Sequence, residues 1–252
     1  MTDTAAKVSY SDLDSKNRQL KALLSRPSPQ RAVFEERFEL SWLFHENALD
    51  GLVLDPLDLK AALDHGGSDD EVLIATYQRI RNHKKALETI QKVVKDQEHS
   101  ITVSFMKELH QQICYGLPER QGGAYRKEIP IHRSYYHDIS QPGRIASEMN
   151  KLVRELKTKE FRMAHAIMKA ADFHFRFMQI FPFDDDTGKV GRLILNYYLL
   201  SAGYPLVIIP DFERQRYYDS LRSSPKVVHD LIVDSLDTTI TNSIRLITGR
   251  KN

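Results

Sequence analysis

A chain of 252 residues with 41% hydrophobic residues and few Gly or Pro clusters can bury a sizeable core as one domain. Its 36 basic and 34 acidic residues are well mixed and leave a formal net charge of +2, which excludes the broad electrostatic attraction that nucleic acid or an anionic membrane would exploit. No run approaches the ~20 apolar residues that cross a bilayer, and the one cysteine, Cys114, set in an apolar-periodic stretch, reads as a buried thiol in a reducing, cytoplasmic compartment.

The predicted elements are mostly helical. Residues 1–26 are polar with one weak amphipathic stretch around Leu20 and Leu24, and Pro27 and Pro29 interrupt it, so residues 1–29 read as an arm or linker. Apolar residues recur at helical spacing over 30–45, through Val33, Phe34, Phe38, Leu40, Leu43 and Phe44. Trp42 there is expected to pack this helix onto the body. Pro56 opens a further segment, and the loop Gly66-Gly67-Ser68-Asp69 leads into a helix over 71–94. Further helices are predicted at 102–114, 145–156 and 161–180. Between them, residues 124–140 mix the β-formers Tyr125, Ile129, Ile131 and Tyr135 with Pro130 and Pro142 nearby, which predicts a short hairpin. The residues from 227 onward have room for one closing helix and a short basic end.

The informative stretch is AADFHFRFMQIFPFDDDTGKVGRLILN, residues 170–196. A largely apolar helix runs into Phe181-Pro182, breaks at Asp184-Asp185-Asp186, and restarts at Gly188 as a second apolar helix ending near Gly203. A polar, glycine-containing turn leading into a buried helix aims backbone N–H groups and a positive dipole end at one place, where an anion can sit. Lys189 and Arg192 add cationic donors, although an ordinary helix corner with solvated charges is an equal reading of these residues alone. Spacing removes other motifs. A P-loop would need Gly at Phe183 and Ser or Thr at Val190; an EF-hand starting at Asp184 would need Gly at Lys189 and Glu at Leu195. A zinc-protease pair from His45-Glu46 would need a second His at Leu49.

The stretch IFPFDDDTGKVGR, residues 180–192, resembles the signature of the Fic (Fido) family, which reads approximately I-H-P-F-x-D-G-N-G-R-x-G-R. Leu195-Asn196, Leu199, Gly203-Tyr204-Pro205 and Tyr217-Tyr218 are similar to its continuation, and Leu109-His110 with Gly123-Ala124-Tyr125-Arg126 is similar to the segment before the family's β-hairpin flap. Glu46 to Gly51 resembles the inhibitory-helix motif of one subgroup. The resemblance implies a mainly α helical bundle with a small β-hairpin flap. It divides the chain into an N-terminal arm (1–29), a helical region with an inhibitory-type helix (30–95), a Fic core (96–225) and a C-terminal helix and tail (226–252).

The resemblance also implies roles. The family's catalytic histidine takes a proton from a target hydroxyl attacking the α-phosphate of a nucleotide, and Phe181 stands in its place. Asp185 matches the metal-holding acid, while Thr187, Gly188, Lys189 and Arg192 occupy the phosphate-binding positions. Asp186-Thr187 replaces a Gly-Asn pair. A carboxylate facing phosphate at ~4 Å and an effective dielectric near 20 costs about 4 kcal/mol, unless Asp186 turns outward as an N-cap or joins Asp184 and Asp185 on a metal ion. In the inhibitory helix, Glu46 replaces Ser or Thr and Asp50 replaces Glu. An Asp is one methylene shorter, which predicts a relaxed contact to Arg192 next to Gly51.

Mg²⁺ and ATP are the implied cofactors, bound weakly or not at all. A protein partner is expected at the flap, through Ile129, Ile131 and His132, with a homodimer allowed and no nucleic acid or membrane partner. Two functions compete: a pseudoenzyme serving as a binding or regulatory module, and a transferase of AMP or another phosphate-linked group using Asp184 or Asp186 as base. Other histidines have plainer readings. His174 lies two helical turns, ~10 Å, from Phe181 and reads as a packed residue; His132 and His137 read as loop residues, and Tyr135 and Tyr136 as cleft lining.

Overall fold

The computed structural model describes residues 8–25, 27–64, 70–97, 100–130 and 137–249. Eleven α-helices lie among them: α1 (Tyr10–Leu24), α2 (Pro29–Leu49), α3 (Pro56–Leu63), α4 (Glu71–Asp96), α5 (Val103–Cys114), α6 (Ile145–Glu155), α7 (Lys159–Met163), α8 (Ala166–Ile180), α9 (Thr187–Ser201), α10 (Arg214–Ser223) and α11 (Pro225–Thr248). Local chemistry starts them. Ser28, Asp55 and Ser224 each cap a helix whose first residue is a proline, joining a side-chain acceptor for the free N–H groups to a ring already set at helical φ. Thr102 caps α5, and Gly249 closes α11 in the left-handed conformation.

Helices α8 and α9 form the centre. They pack on each other, with α11 and α6 against α8 and with α4 and α5 against α9. Phe173, Phe177 and Met178 of α8 and Leu193, Ile194 and Leu195 of α9 are fully buried, as their apolar surroundings in sequence require. Trp42 of α2 is also fully buried, its ring 5.1 Å from that of His83 on α4, and so holds α2 to the body.

Three expectations change. The opening segment is a packed helix: Ser9 and Asp12 make a capping box at the start of α1, Leu13 and Leu20 enter the core, Lys16 pairs with Asp237 at 2.6 Å, and the Asn17 amide donates to the Gly203 carbonyl at 3.0 Å. Its low apolar content hid a narrow but fully used stripe. The helix expected over 161–180 is two, because Ala164 is extended and the His165 side chain accepts the Ile167 N–H to begin α8.

The expected hairpin is not described as strands. The Arg126 N–H donates to the Pro182 carbonyl at 3.0 Å and the Ser140 N–H to the Gln179 carbonyl at 3.0 Å, so these groups join the flanks of the segment to the end of α8 instead of to each other. Ile129 is partly exposed; Ile131, His132, Tyr135 and Tyr136 lie outside the described residues. No described helix is long and apolar enough to cross a membrane.

Candidate functional site

The turn between α8 and α9 is fixed from both sides. Phe181 ends α8 at φ 47°, its N–H bonded to the Phe177 carbonyl at 2.9 Å, and its ring is buried, 2% exposed. Asp186 precedes α9 at φ 53° and makes no side-chain cap. A left-handed conformation is one glycine takes freely and an L-residue takes at about 1 kcal/mol, Asp and Asn most readily. Within the turn, the Thr187 hydroxyl donates to the Phe183 carbonyl and accepts the Phe183 N–H, both at 3.0 Å. His110 of α5 stacks on Phe183 with centroids 3.9 Å apart. Its Nδ1 accepts the Gly123 N–H at 2.9 Å, so Nε2 carries the proton and donates to the Asp185 carbonyl at 3.1 Å.

The cations at this turn are already engaged. Arg192 is 1% exposed; its Nε donates to Glu46 Oε2 at 2.6 Å, Nη2 to Asp50 Oδ2 at 3.0 Å and to the Glu46 carbonyl at 3.2 Å, and Nη1 to the Tyr217 hydroxyl at 3.3 Å. Lys189 reaches Asp186 at 2.6 Å and Asp50 at 3.2 Å. Arg120 reaches Asp185 at 2.6 Å and Asp186 at 3.4 Å. The contact from α2 is therefore not relaxed. Glu46 and Asp50 are four residues apart on one helix face, so the shorter Asp50 shares the guanidinium with the longer Glu46 and neither has to span it alone. Asp186 turns into the cluster, neither outward as a cap nor away from the cations.

Burial and charge compete at each carboxylate. At Asp50 burial works against ionisation, but Arg192 and Lys189 outweigh it and hold the group well below the usual range. Asp186 is treated the same way by Lys189 and Arg120 and is also lowered. Glu46, fully enclosed, is pushed up by burial despite Arg192. Asp50 therefore stabilises the fold above the ordinary carboxylate range, and that contribution is lost as pH falls through its lowered value. Glu46 acts in the opposite sense, its contribution lost as pH rises through its raised value. Asp50→Asn is expected to remove part of the acid-side loss of stability, measured by urea unfolding at stepwise lower pH; an unchanged acid slope would refute the assignment.

A cavity of about 310 Å³ opens on this cluster, lined by Asp50, Phe181, Asp184, Lys189, Arg214 and Tyr218, among others. The structure thus brings together Glu46, Asp50, Phe181, Asp184, Asp185, Asp186, Thr187, Gly188, Lys189 and Arg192. Gly51 sits at φ 90° where α2 ends. Ile129 is not among the cavity-lining residues. His174 is buried with its Nε2 2.9 Å from the Tyr217 hydroxyl, and burial takes its pKa down to about 3, which makes it a neutral packing residue. His137 lies against the end of α8, its Nε2 2.9 Å from the Met178 carbonyl. Cys114 is buried, its thiol pushed up to about 12 chiefly by that burial.

The sequence reading missed three contributors. Arg120 has no motif around it and is recognisable only as a basic residue just before Gly122-Gly123. Tyr217 links His174 to Arg192 across three helices, a role that no spacing reveals. Arg126, quoted only as part of a matching string, is 2% exposed and spends its guanidinium on backbone carbonyls at the end of α8.

Residues 100–199 match the family model described as Fic/DOC family. Over 210 residues, 83% of this chain, the sequence is 28% identical to a protein of Drosophila persimilis named "Protein adenylyltransferase Fic". The match spans 41% of that protein, so the chain corresponds to about two fifths of its relative's length. A Fic domain containing signaling protein from Bacteroides thetaiotaomicron superposes with a TM-score of 0.81 at 21% identity, covering 96% of this chain and 97% of the other. The structure of IbpAFic2 covalently tethered to Cdc42 superposes with a TM-score of 0.51 at 16% identity, over 93% of this chain and 71% of that one. At these identities the structures show a shared fold.

Proposed function

This chain is a Fic-domain protein of the Fic/DOC family, related to protein adenylyltransferases, and from that premise we propose that it is a degenerate member, a binding or regulatory module that does not transfer AMP. The observation that carries this reading is Phe181: a buried phenyl ring, unable to accept a proton, ends α8 where the family keeps its histidine. Loss of a general base typically removes about 10²–10⁴ in rate.

The neighbourhood supports the same reading. Three cations, Arg120, Lys189 and Arg192, are in contact with four carboxylates, Glu46, Asp50, Asp185 and Asp186. A nucleotide phosphate meets no uncompensated positive charge among these residues. The arrangement offers a divalent ion no free carboxylate at Asp185 or Asp186 either: Asp185 is held by Arg120, and Asp186 by Lys189 and Arg120. ATP binding is accordingly weak or absent in the form described. A protein partner at the flap flank around Ile129 is part of the proposal, supported by that residue's exposure and by the relative tethered to a protein target.

One observation favours the second reading, a transferase with a carboxylate base. Asp184 is exposed and, among the described residues, makes no ion pair, whereas Asp186 is kept ionised and weakly basic by its two cations. The test incubates the purified protein with α-labelled nucleoside triphosphates, Mg²⁺ or Mn²⁺ and a cell lysate. No labelled band is expected. Robust labelling abolished by Asp184→Ala would establish the transferase and end the module reading.

A further inference from the structure

Along α8, from Met168 to Arg176, lies a groove with two unlike halves. One half, about 670 Å³, is walled by Leu152, Leu156, Phe161, Met168 and Ala171 between α6, α7, α8 and the start of α11. The other half, about 550 Å³, runs toward α9 over Ile101, Tyr197 and Tyr198 and is edged by Lys157, Arg162 and Lys169. Leu156, Phe161 and Lys169 belong to both, so the halves are continuous. No residue lining either half also lines the cavity at the turn, so the groove is separate from the cluster there.

Charge divides the groove as sharply as polarity does. In the apolar half, Arg176 is held by both Glu155 and Asp172 and so offers an incoming anion no free charge, and Glu160 and Lys226 stand at its rim. In the tyrosine half, none of Lys157, Arg162 and Lys169 pairs with a carboxylate among the described residues, and no acidic side chain lines that half. Met168, 45% exposed, stands in the apolar half with an unbranched side chain, the type that accommodates varied apolar partners. A monomer gains nothing from holding three like charges around an open aromatic floor; a complementary anionic segment does.

We propose that this groove docks a short linear segment of a partner protein that is acidic at one end and apolar at the other. Its carboxylates sit on Lys157, Arg162 and Lys169, and its apolar side chains fill the half beside Met168. A single-stranded nucleic acid fits less well, because the larger half offers apolar walls, an already neutralised arginine and the carboxylate of Glu160. The inference is independent of whether the turn at Phe181 performs transfer.

Fluorescence anisotropy tests it with a fluorescein-labelled peptide of about ten residues, glutamates at one end and leucine and phenylalanine at the other, titrated with the full chain. Three controls accompany it: the same peptide with lysines for glutamates, the same with serines for the apolar residues, and a labelled oligouridylate. The acidic–apolar peptide is expected to bind, about tenfold more weakly to the Lys157→Glu/Lys169→Glu variant and to Met168→Glu, and more weakly in high salt. Asp50→Ala, at the end of α2 beside the turn cluster, is expected to leave it unchanged. No binding of the acidic–apolar peptide, equal binding of the lysine peptide, preference for oligouridylate, or affinity indifferent to the groove variants would overturn the proposal. Circular dichroism of each variant separates a lost surface from a lost fold.

Discussion

Replacing Arg126 with leucine is expected to lower the unfolding free energy by about 3–5 kcal/mol, the largest single-residue loss anticipated here. The guanidinium donates from Nε to the Phe181 carbonyl at 2.6 Å, from Nη1 to Glu128 at 3.0 Å, and from Nη2 to Ile180 at 3.3 Å and to Ser140. These carbonyls include the last of α8, where the backbone is partly negative, and that field accommodates a buried cation with no carboxylate bonded to it. Leucine would fill the space but leave the carbonyls without donors, at roughly 1–3 kcal/mol for each that stays buried and unpaired. Relief of the buried charge offsets part of this sum. For a domain of this size the loss corresponds to a fall in Tm of at least about 6 °C. Arg126→Lys is expected to recover less than half, because an ammonium cannot serve carbonyls lying in several directions as the planar fork does. A loss below about 1 kcal/mol for the leucine variant would show that the segment settles without its peg.

The second large effect concerns affinity. Asp50→Ala is expected to tighten ATP binding by about tenfold to a hundredfold, within a ceiling near a thousandfold set by about 4 kcal/mol of repulsion at ~4 Å. Asp50 Oδ1 lies so close to the start of α9 that a Cβ on Gly188 would come within 3.3 Å of it, and Oδ2 touches both Lys189 and Arg192. The carboxylate stands where an incoming phosphate oxygen would meet both cations and the helix N-terminus. Removing it releases Lys189 partly and Arg192 partly, since Asp186 and Glu46 remain, and the gain therefore falls short of the ceiling. Calorimetry with ATP on both proteins measures it, and equal affinities would refute the idea that Asp50 competes with phosphate. Labelled transfer is expected to stay absent in the variant, because Phe181 is untouched, so binding and chemistry separate in one experiment.

How much of this was legible in sequence depended on range. The buried pair α8 and α9 announced itself through long apolar stretches on either side of Phe181 and Gly188, and α2 through the helical spacing of its apolar residues over 30–45. Tyr10–Leu24 did not, because a helix that buries only Leu13, Asn17 and Leu20 has too narrow a stripe to stand out among polar neighbours. At the turn, residue types gave the chemistry but not the pairing. Asp50 looked too short for Arg192 when considered alone; Glu46 beside it, one turn earlier, made the joint contact possible. Arg120, Arg126 and Tyr217 were illegible as contributors because the partners that tie them to the turn lie 25 to 66 positions away in the chain, a separation that no local pattern encodes.

Gly191 sets a mechanical limit on the cradle. A methyl group there would lie 3.0 Å from His174 Nδ1 and 3.1 Å from the ring of Phe177, so α8 and α9 are in contact across a spot where no side chain fits. Prising them apart would expose the buried side chains of Phe173, Phe177, Leu193 and Ile194. The floor of the cradle is therefore rigid, and any widening must come from the opposite wall, as a small withdrawal of the last turn of α2 that carries Glu46 and Asp50 away together. A stimulus acting on α2 would change the size and the charge of the opening in one movement.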